Sequence, residues 1–580
     1  MITGKSIATL VIFILSIFFV IHPVSWNIPL PRYGKRRFVL GLSTAPIIAI
    51  AILWAAQCLG PAQIRHGIVG LDGIKPYNIL ILFFSLAYMA ITLDITGILQ
   101  SAAFWVSNKG GSNGYKLFFY FYLLLTGISV VLGNDPIILS GTAFLVYYTK
   151  VAELNPTSWL MAEFAAANTA SMVLFVGNPT NVVICEGFRV QNAAFTAYTI
   201  LPFLACITTC FIALAVQFRD KKYVPRKLEV NQQLDVRSVL LDPVGAWFGS
   251  ILLGSCLAVI IVVSFFGVDV WKISLPFAAA KFIYDICWDH YRYVKGIPML
   301  GRSHPKRKRS DDSQGSDDKN VLEKQLARRF SHAPGSMSEP TSRETTLPIS
   351  ASPTMVAEPG DFKSNILPIH RTTSPVPEEN DEGLEAGNSK SEKDAHMKPK
   401  SSPSRLSYRM HQLSLHFPTF FTALPRLPFA LVPFAFSQFI LIEALSHQGW
   451  IELFATWLVR ATNRQMHPTI WLVGVLGVIL CNLSGTNIGA TILLTKVVRA
   501  AALPPSSDRA GAIALAVASN IGAVSFTFSA SLAGLLWRAI LKQKGILITQ
   551  TEFAKWNVLP ILVMTAAGLA VVSAEMAVLY

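Results

Sequence analysis

Residues 117–149 read LFFYFYLLLTGISVVLGNDPIILSGTAFLVYYT, two apolar runs on either side of a polar Gly133-Asn134-Asp135-Pro136. The first run, 15 residues from Leu117 to Val131, rises about 22 Å as a helix, short of the roughly 30 Å hydrocarbon core of a bilayer. Neither arm is expected to cross, so the stretch enters and leaves on one side, with Lys116 and Lys150 at its base. Irregular backbone at membrane depth is tolerated only inside protein or beside a water-filled cavity. The polar tip is therefore expected to line a site.

Such a hairpin requires a membrane protein, and the composition agrees. Hydrophobic residues make up 52%, charged residues 14%, and the mean hydropathy is +0.46, outside the range of soluble domains. The net charge of +15 raises nucleic acid as a partner. The basic residues, however, cluster beside apolar runs, at Arg32, Lys35, Arg36 and Arg37, in the loop from Arg219 to Arg237, and at Lys306-Arg307-Lys308-Arg309. Positive-inside orientation accounts for them, which leaves the lipid bilayer as the expected partner and no nucleic acid. The seven cysteines (Cys58, Cys185, Cys206, Cys210, Cys256, Cys287, Cys481) all lie in apolar segments and are odd in number, so no disulfide framework is expected. Cys206 and Cys210 share a helix face and either meet a soft metalloid or, as buried thiols usually do, simply pack.

Outward from the hairpin, residues 159–188 are long enough to cross but are interrupted by Gly177-Asn178-Pro179 and Asn181, a broken helix with exposed backbone dipoles. Before the hairpin, apolar runs at 7–21, 38–60 and 77–97 read as spans, and after the break so do 197–218, 244–267 and 272–290. The run at 7–21 has no small-residue cleavage site after it and is read as a span rather than a signal peptide. The second half then repeats the order: a span at 427–446, a hairpin-like pair at 469–498, an interrupted segment at 509–541 and a last span at 557–577. VVLGNDPIILSGTAFLVYYTK aligns with VILCNLSGTNIGATILLTKVV, setting Asn134 against Asn482. FAAANTASMVLFVGNPTN aligns with LAVASNIGAVSFTFSASLA, setting Asn168 against Asn520, and Asp94 and Glu443 fall at matching places upstream. A lone span between the halves reverses the second, so the repeats are expected to be inverted.

The expected fold is therefore an all-α membrane protein of about ten spanning helices plus two re-entrant hairpins, in two inverted repeats with broken helices. Its parts are a first span and basic cytoplasmic loop (1–37), repeat 1 (38–219), a linker with one span (220–271), the first span of repeat 2 (272–299), a polar insertion (300–415) and the rest of repeat 2 (416–580). The insertion is rich in Ser, Pro and charge, a composition that stays disordered. It is either an inert linker or a phosphorylated regulatory segment. The membrane, plasma or vacuolar and endomembrane, stays open, as does a homodimer.

These motifs resemble the membrane subunit of arsenite pumps, within the larger ion-transporter group that also holds citrate and sodium/dicarboxylate carriers. The resemblance covers about 38–219 and 427–580. LGNDPIILSGT is similar to that family's Thr-Asn-Asp hairpin tip with Gly133 in place of Thr, NTASMVLFVGNPTN to its broken-helix signature, and SLAGLLWRAILKQKGILIT at 531–549 to the segment after the second break. Two departures lie in the second half, where Phe528 replaces the usual Pro and Leu483 stands for the acid after the tip Asn. The resemblance implies transport of a metalloid or small anion, coupled to the membrane potential, protons or sodium, with no other cofactor and no bound metal.

Hairpin tips and helix breaks present unpaired backbone groups beside Asn, Ser and Thr side chains, which hold an ion or polar ligand oxygens. The expected site comprises Asn134, Asp135, Asn168, Thr169, Ser171, Gly177, Asn178 and Asn181 in the first half, and Asn482, Ser484, Thr486, Asn487, Asn520, Thr527, Ser529 and Ser531 in the second. Some of these instead cap helices or bond between them. Asp135, Asp94, Glu163 and Glu443 are acids in or bordering apolar segments and the candidates for ion coupling. No HExxH, GxSxG or paired-aspartate motif lies in the apolar segments, so an enzyme is not expected. Three readings remain: a secondary transporter of arsenite-like metalloid or small anion by alternating access, a citrate or dicarboxylate cation symporter, and a receptor or scaffold signalling through the long loop.

Overall fold

A computed structural model describes residues 2–30, 34–71, 73–228, 234–266, 268–297 and 405–580. Most of the polar insertion, and Arg32, lie outside the described residues. The N-terminal helix α1 (Gly4–Ile21) leads into an antiparallel hairpin of β1 (Val24–Leu30) and β2 (Gly34–Leu40). Then follow α2 (Thr44–Ala55), α3 (Pro61–Val69), α4 (Pro76–Ile95), α5 (Ile98–Gly110), α6 (Gly114–Leu132), α7 (Asn134–Val151), α8 (Pro156–Ala170), α9 (Pro179–Gly187), α10 (Asn192–Gln217), α11 (Pro243–Val263) and α12 (Trp271–Lys295). Past the insertion come α13 (Arg405–His416), α14 (Pro418–Ala423), α15 (Leu431–His447), α16 (Trp450–Thr462), α17 (Met466–Leu483), α18 (Asn487–Ala500), α19 (Pro505–Val524), α20 (Leu532–Gln543) and α21 (Gln550–Leu579). Among the described residues, eight helical segments are long and apolar enough to cross a bilayer.

Several expectations change. The span expected at 38–60 is a strand end followed by α2, whose 12 residues rise only about 18 Å. α12 is helical as expected, but Lys281, Asp285, Asp289 and Arg292 are buried along it, so it is less apolar than its neighbours. Disorder is expected through 415, but residues 405–416 are helical; the rest of that segment lies outside the described residues. α5 and α16, one after each repeat's leading helix, follow left-handed Gly97 and Gly449. Sequence periodicity hides them because each is only 13 residues long.

The first hairpin is confirmed in form and corrected in length. Phe121 of α6 stacks edge-on against Tyr148 of α7 at 5.4 Å and lies 5.7 Å from Phe144, so the arms run antiparallel about Gly133. α6 has 19 residues, about 28 Å, because Asn113 caps it by accepting from Lys116 N at 3.1 Å, three residues before the apolar run. It nevertheless stops inside the protein. Gly133 lies against the carbonyl of Gly177 at the first break, and α9, with 9 residues, continues about 13 Å beyond that level.

The two halves run in opposite directions. Phe164, midway along α8, lies 5.3 Å from Trp537 of α20 and 5.3 Å from Phe553 of α21. α8 runs toward its break and α20 away from its own, yet their middles share one side. On the other side, Gly187 at the end of α9 lies against Thr495 of α18, and Arg499 donates to the Gly187 carbonyl. Each hairpin's second arm thus packs on the outgoing half-helix of the other repeat, α7 on α20 and α18 on α9. Two apolar cores follow from this exchange, each built from both halves.

The repeat register also sharpens. Gly97 and Gly449, Gly133 and Gly485, and Asn168 and Asn520 stand at one constant offset. The four glycines have φ of 87°, 80°, 81° and 82°, where side chains with a Cβ are disfavoured. Asn168 and Asn520 are true counterparts, each donating at 2.9 Å to the carbonyl four residues back, Phe164 and Ala516. The pairing of Asn134 with Asn482 is not kept. The constant offset sets Asn134 opposite Thr486 and Asp135 opposite Asn487, so Leu483 is not the replacement for the acid. Asp94 and Glu443 are likewise about one turn out of register.

Candidate functional site

Each break is shaped by its own caps. The first runs from Ser171 to Asn178, with a short 3-10 turn at Phe175–Gly177. Asn178 ends it by accepting from Thr180 N at 3.2 Å, and Pro179 opens α9 without a lost hydrogen bond. The second runs from Ser525 to Ser531, where Ser531 caps α20 by accepting from Gly534 N at 3.0 Å. At the hairpin tips Thr486 caps α18 through Gly489 N at 3.3 Å, while α7 begins directly after Gly133.

The N-termini of α7, α9, α18 and α20 converge on one cleft. It is lined by Asn134 and Asp135, Asn178 and Pro179, Asn487 and Ile488, and Ser531, Leu532 and Ala533, and Phe83 of α4 and Leu431 of α15 close its wall. The cleft encloses about 270 Å³, part of it open to solvent. Among the described residues, no Lys, Arg or His lines it. Its positive potential comes instead from the free backbone N–H groups of four first turns, each end equivalent to roughly half an elementary charge. Helix N-termini gathered in this way are able to hold an anion. Asp135 is the single acid there.

Behind the cleft, the two breaks are bolted together by saturated amides. Asn520 Oδ1 accepts from Ser171 Oγ at 2.9 Å and Asn178 Nδ2 at 3.2 Å. Its Nδ2 donates to Asn181 Oδ1 at 2.8 Å and Ala516 O at 2.9 Å. Asn181 Nδ2 donates to the carbonyls of Ser171 and Leu174, both at 2.9 Å. Asn134 Nδ2 donates to Asn168 Oδ1 at 3.0 Å, joining the hairpin tip to α8. Asn168, Ser171, Asn181 and Asn520 are wholly buried and fully engaged with protein.

Of the expected residues, then, Asn134, Asp135, Asn178, Asn487 and Ser531 meet at the cleft, and Asn168, Ser171, Asn181 and Asn520 form the brace behind it. Gly177 supplies only backbone, close against Gly133. Thr169 turns away to Met564 Sδ at 3.3 Å. Asn482 Oδ1 accepts from Phe526 N at 2.8 Å and Thr527 N at 3.3 Å, holding the second break to its hairpin. Ser484 bonds within the tip, to the carbonyls of Leu480 and Thr486 at 2.7 and 3.0 Å. The hydroxyls of Thr527 and Ser529 are buried without a hydrogen-bond partner among the described residues and lie off the cleft. Among the acids, Asp94 pairs with Arg426 at 3.3 Å and Glu443 with Lys496 at 2.5 Å. Glu163 meets Thr142. The apolar lining of Phe83, Pro179, Leu431, Ile488, Leu532 and Ala533 carries no polar signal of its own. Four of these residues, Pro179, Ile488, Leu532 and Ala533, could have been found as first or second positions after a helix cap.

A family profile described as citrate transporter matches residues 6–300. The arsenical pump membrane protein of Escherichia coli is 24% identical over 241 residues, 40% of this chain and 56% of that protein. The arsenical pump membrane protein of Yersinia enterocolitica is 24% identical over 243 residues, 40% of this chain and 53% of that protein. The chain therefore spans about half the length of these curated relatives. Among solved structures, the Alcanivorax borkumensis YdaH transporter aligns over 100% of this chain and 99% of its own at 10% identity and a TM-score of 0.37, a likeness too slight to bear on the fold.

Proposed function

The chain belongs to the citrate transporter family, and from that premise we propose that it is a secondary transporter carrying a small anion or an arsenite-like metalloid acid by alternating access. The observation that carries this reading is the meeting of four helix N-termini, from both inverted halves, around one cleft. Such a cleft binds anionic or polar oxygens through backbone N–H groups without a fixed basic side chain. Asn134, Asn178, Asn487 and Ser531 add neutral donors and acceptors, suited to a hydroxylated acid as well as to an anion. Asp135 stands beside that position and binds a coupling cation. The relatives named arsenical pump membrane proteins favour a metalloid substrate.

A citrate or dicarboxylate symporter is the second reading, favoured by the family match over residues 6–300. Against it stands the lack, among the described residues, of any basic side chain in the cleft to take a second carboxylate. A receptor or scaffold role leaves the paired breaks without a purpose. The test is uptake by the purified protein in lipid vesicles, with radiolabelled arsenite and citrate and imposed proton or sodium gradients. Saturable uptake of one probe, lost in Asn487→Ala, is expected. Absence of uptake and of counterflow for both probes under every gradient would sink the reading.

A further inference from the structure

The four coupling candidates, Asp94, Asp135, Glu163 and Glu443, fall into distinct electrostatic settings. Asp94 is paired with Arg426 and Glu443 with Lys496, and Asp135 faces the cleft. Glu163 alone is sealed from solvent, 0% exposed, with no ion pair among the described residues. Its partner is a hydroxyl: Thr142 Oγ1 of α7 lies 3.0 Å from each carboxyl oxygen. The indole N–H of Trp537 on α20 lies near the same carboxyl and has no hydrogen-bond partner among the described residues. Gly141 leaves the space that the carboxyl fills, for a Cβ there would lie 2.6 Å from Glu163 Oε1.

Several titratable and charged groups on the elements packed against α8 have other partners: on α19, Arg509 lies over the Tyr198 ring of α10 at 5.9 Å, whereas Glu575 Oε2 of α21 has no hydrogen-bond partner among the described residues. Tyr122 of α6 donates to Ile207 O at 2.8 Å, Tyr148 of α7 meets Ser107 at 3.1 Å, and Cys206 of α10 meets Met564 O at 3.4 Å. Cys210 lies beside Tyr122. On α20 the Arg538 guanidinium covers the Phe528 ring at 4.9 Å, and on α21 Lys555 covers Trp556 at 5.6 Å.

The other repeat provides an internal control. At the constant offset of the glycines and of Asn168 and Asn520, the trio Leu125, Thr142 and Glu163 corresponds to Gly477, Leu494 and Leu515. That second trio also packs together: from a Cβ built at Gly477, Leu515 Cδ1 lies at 3.4 Å and Leu494 Cδ1 at 3.9 Å. Leucines therefore satisfy the fold at this place. The first half departs from it by putting a carboxyl and a hydroxyl where packing needs neither. An acid kept inside the membrane without a counter-charge marks proton or ion chemistry.

We propose that Glu163, with Thr142, is the group that takes up and releases a proton in each transport cycle. This rests on the transporter reading above and adds to it the identity of the proton site, separate from the cleft. In the acid form the carboxyl O–H donates to Thr142 Oγ1. On release the proton passes to water, the Thr142 hydroxyl turns to donate to the carboxylate, and Trp537 Nε1 supplies a second donor. Water must enter between α7, α8 and α20 for that transfer, which ties it to movement of the first hairpin.

The test reconstitutes wild type, E163Q, E163D and the pair E163L/T142L, copied from the other half, in lipid vesicles. Radiolabelled arsenite and citrate are the probes. Uptake driven by an imposed pH gradient and counterflow at equal pH are both measured. E163Q is expected to lose pH-driven uptake and keep counterflow, E163D to retain part of the pH response, and wild type to show a protonated-carboxyl infrared band that E163Q lacks. Should E163Q fold poorly, E163L/T142L carries the same expectation with packing proven in this chain. A wild type that carries a probe but ignores the pH gradient overturns the assignment, as does E163Q with an undiminished pH response; either leaves transport itself standing. A wild type that carries neither probe overturns the transporter reading and this inference with it.

Discussion

Asn520→Ala separates the brace from the cleft it supports. The side chain makes four hydrogen bonds, to Ser171 Oγ, Asn178 Nδ2, Asn181 Oδ1 and Ala516 O, all at 2.8 to 3.2 Å. Truncation affects these partners unequally. Ser171 Oγ keeps Asn168 O at 2.8 Å, and Ala516 O keeps its place in the helix. Asn181 Oδ1 is left buried with no donor, while Asn178 Nδ2 faces a cleft that water can reach. One orphaned buried acceptor costs about 1–3 kcal/mol, and each net hydrogen bond lost adds about 1 kcal/mol, so the expected loss is about 2–4 kcal/mol. Denaturant unfolding in detergent, followed by tryptophan fluorescence, measures it. Asn520→Asp, which keeps the two acceptor contacts and loses the donors, should also destabilise and should weaken transport, because the breaks are no longer locked to each other. A loss under about 1 kcal/mol together with unchanged transport would refute the argument that saturated amides, and not the cleft residues, hold the breaks in place.

Asp135→Asn is expected to abolish coupled transport while the protein still reaches its membrane, and normal uptake or efflux in that variant would end the coupling assignment. Lys496→Met leaves Glu443, 7% exposed, without its 2.5 Å partner and should lower stability by about 3–5 kcal/mol, whereas Glu443→Leu with Lys496→Met should restore most of it. At the mouth of α4, Lys75 Nζ lies 2.7 Å and Lys272 Nζ 3.1 Å from the Asp269 carboxylate. The hydrogen bond from Lys75, helped by Lys272, holds that carboxyl below its ordinary range. The unfolded chain then binds a proton more readily than the folded one, so the contribution of Asp269 is present above the usual carboxylate range and fades as pH falls through its lowered pKa. Thermal unfolding between neutral pH and about pH 3 should fall less steeply in Asp269→Asn than in wild type.

The hairpins, the breaks and the inversion were legible because each is written in backbone chemistry. Gly133 and Gly485 sit at positive φ, and Asn178 and Ser531 are caps, so the tips and breaks show even though α6 and α17 are each long enough to pass for a span. The pairing of Asn134 with Asn482 was misread because it matched like residues across halves whose chemistry has diverged. The conformational requirement, a glycine before each tip, is conserved between the halves when the side chains are not. α2 was misread for the converse reason: its apolar run continues from the β-hairpin, and hydropathy cannot show where a strand gives way to a helix of 12 residues.

Within the site, residue type alone could not divide cleft from brace. Asn178 and Asn181 lie one helical turn apart on α9, yet Asn178 faces the cleft while Asn181 reaches back across the break to Ser171 and Leu174. Which of two such residues faces the cleft depends on the partner supplied by the opposite repeat, here Asn520, a contact between residues 339 to 342 apart in sequence. The same contact bears on what the cleft can hold. Four helix ends contribute roughly two positive charges in sum, set against one carboxylate, Asp135. The residual of about one positive charge suits a monoanion with Asp135 ionised, or a dianion once a cation or proton neutralises Asp135. A change at Asp135 should therefore alter which charge state of a substrate is carried as well as how fast, and the preference of Asp135→Asn among ionisation states of one acid reads that balance directly.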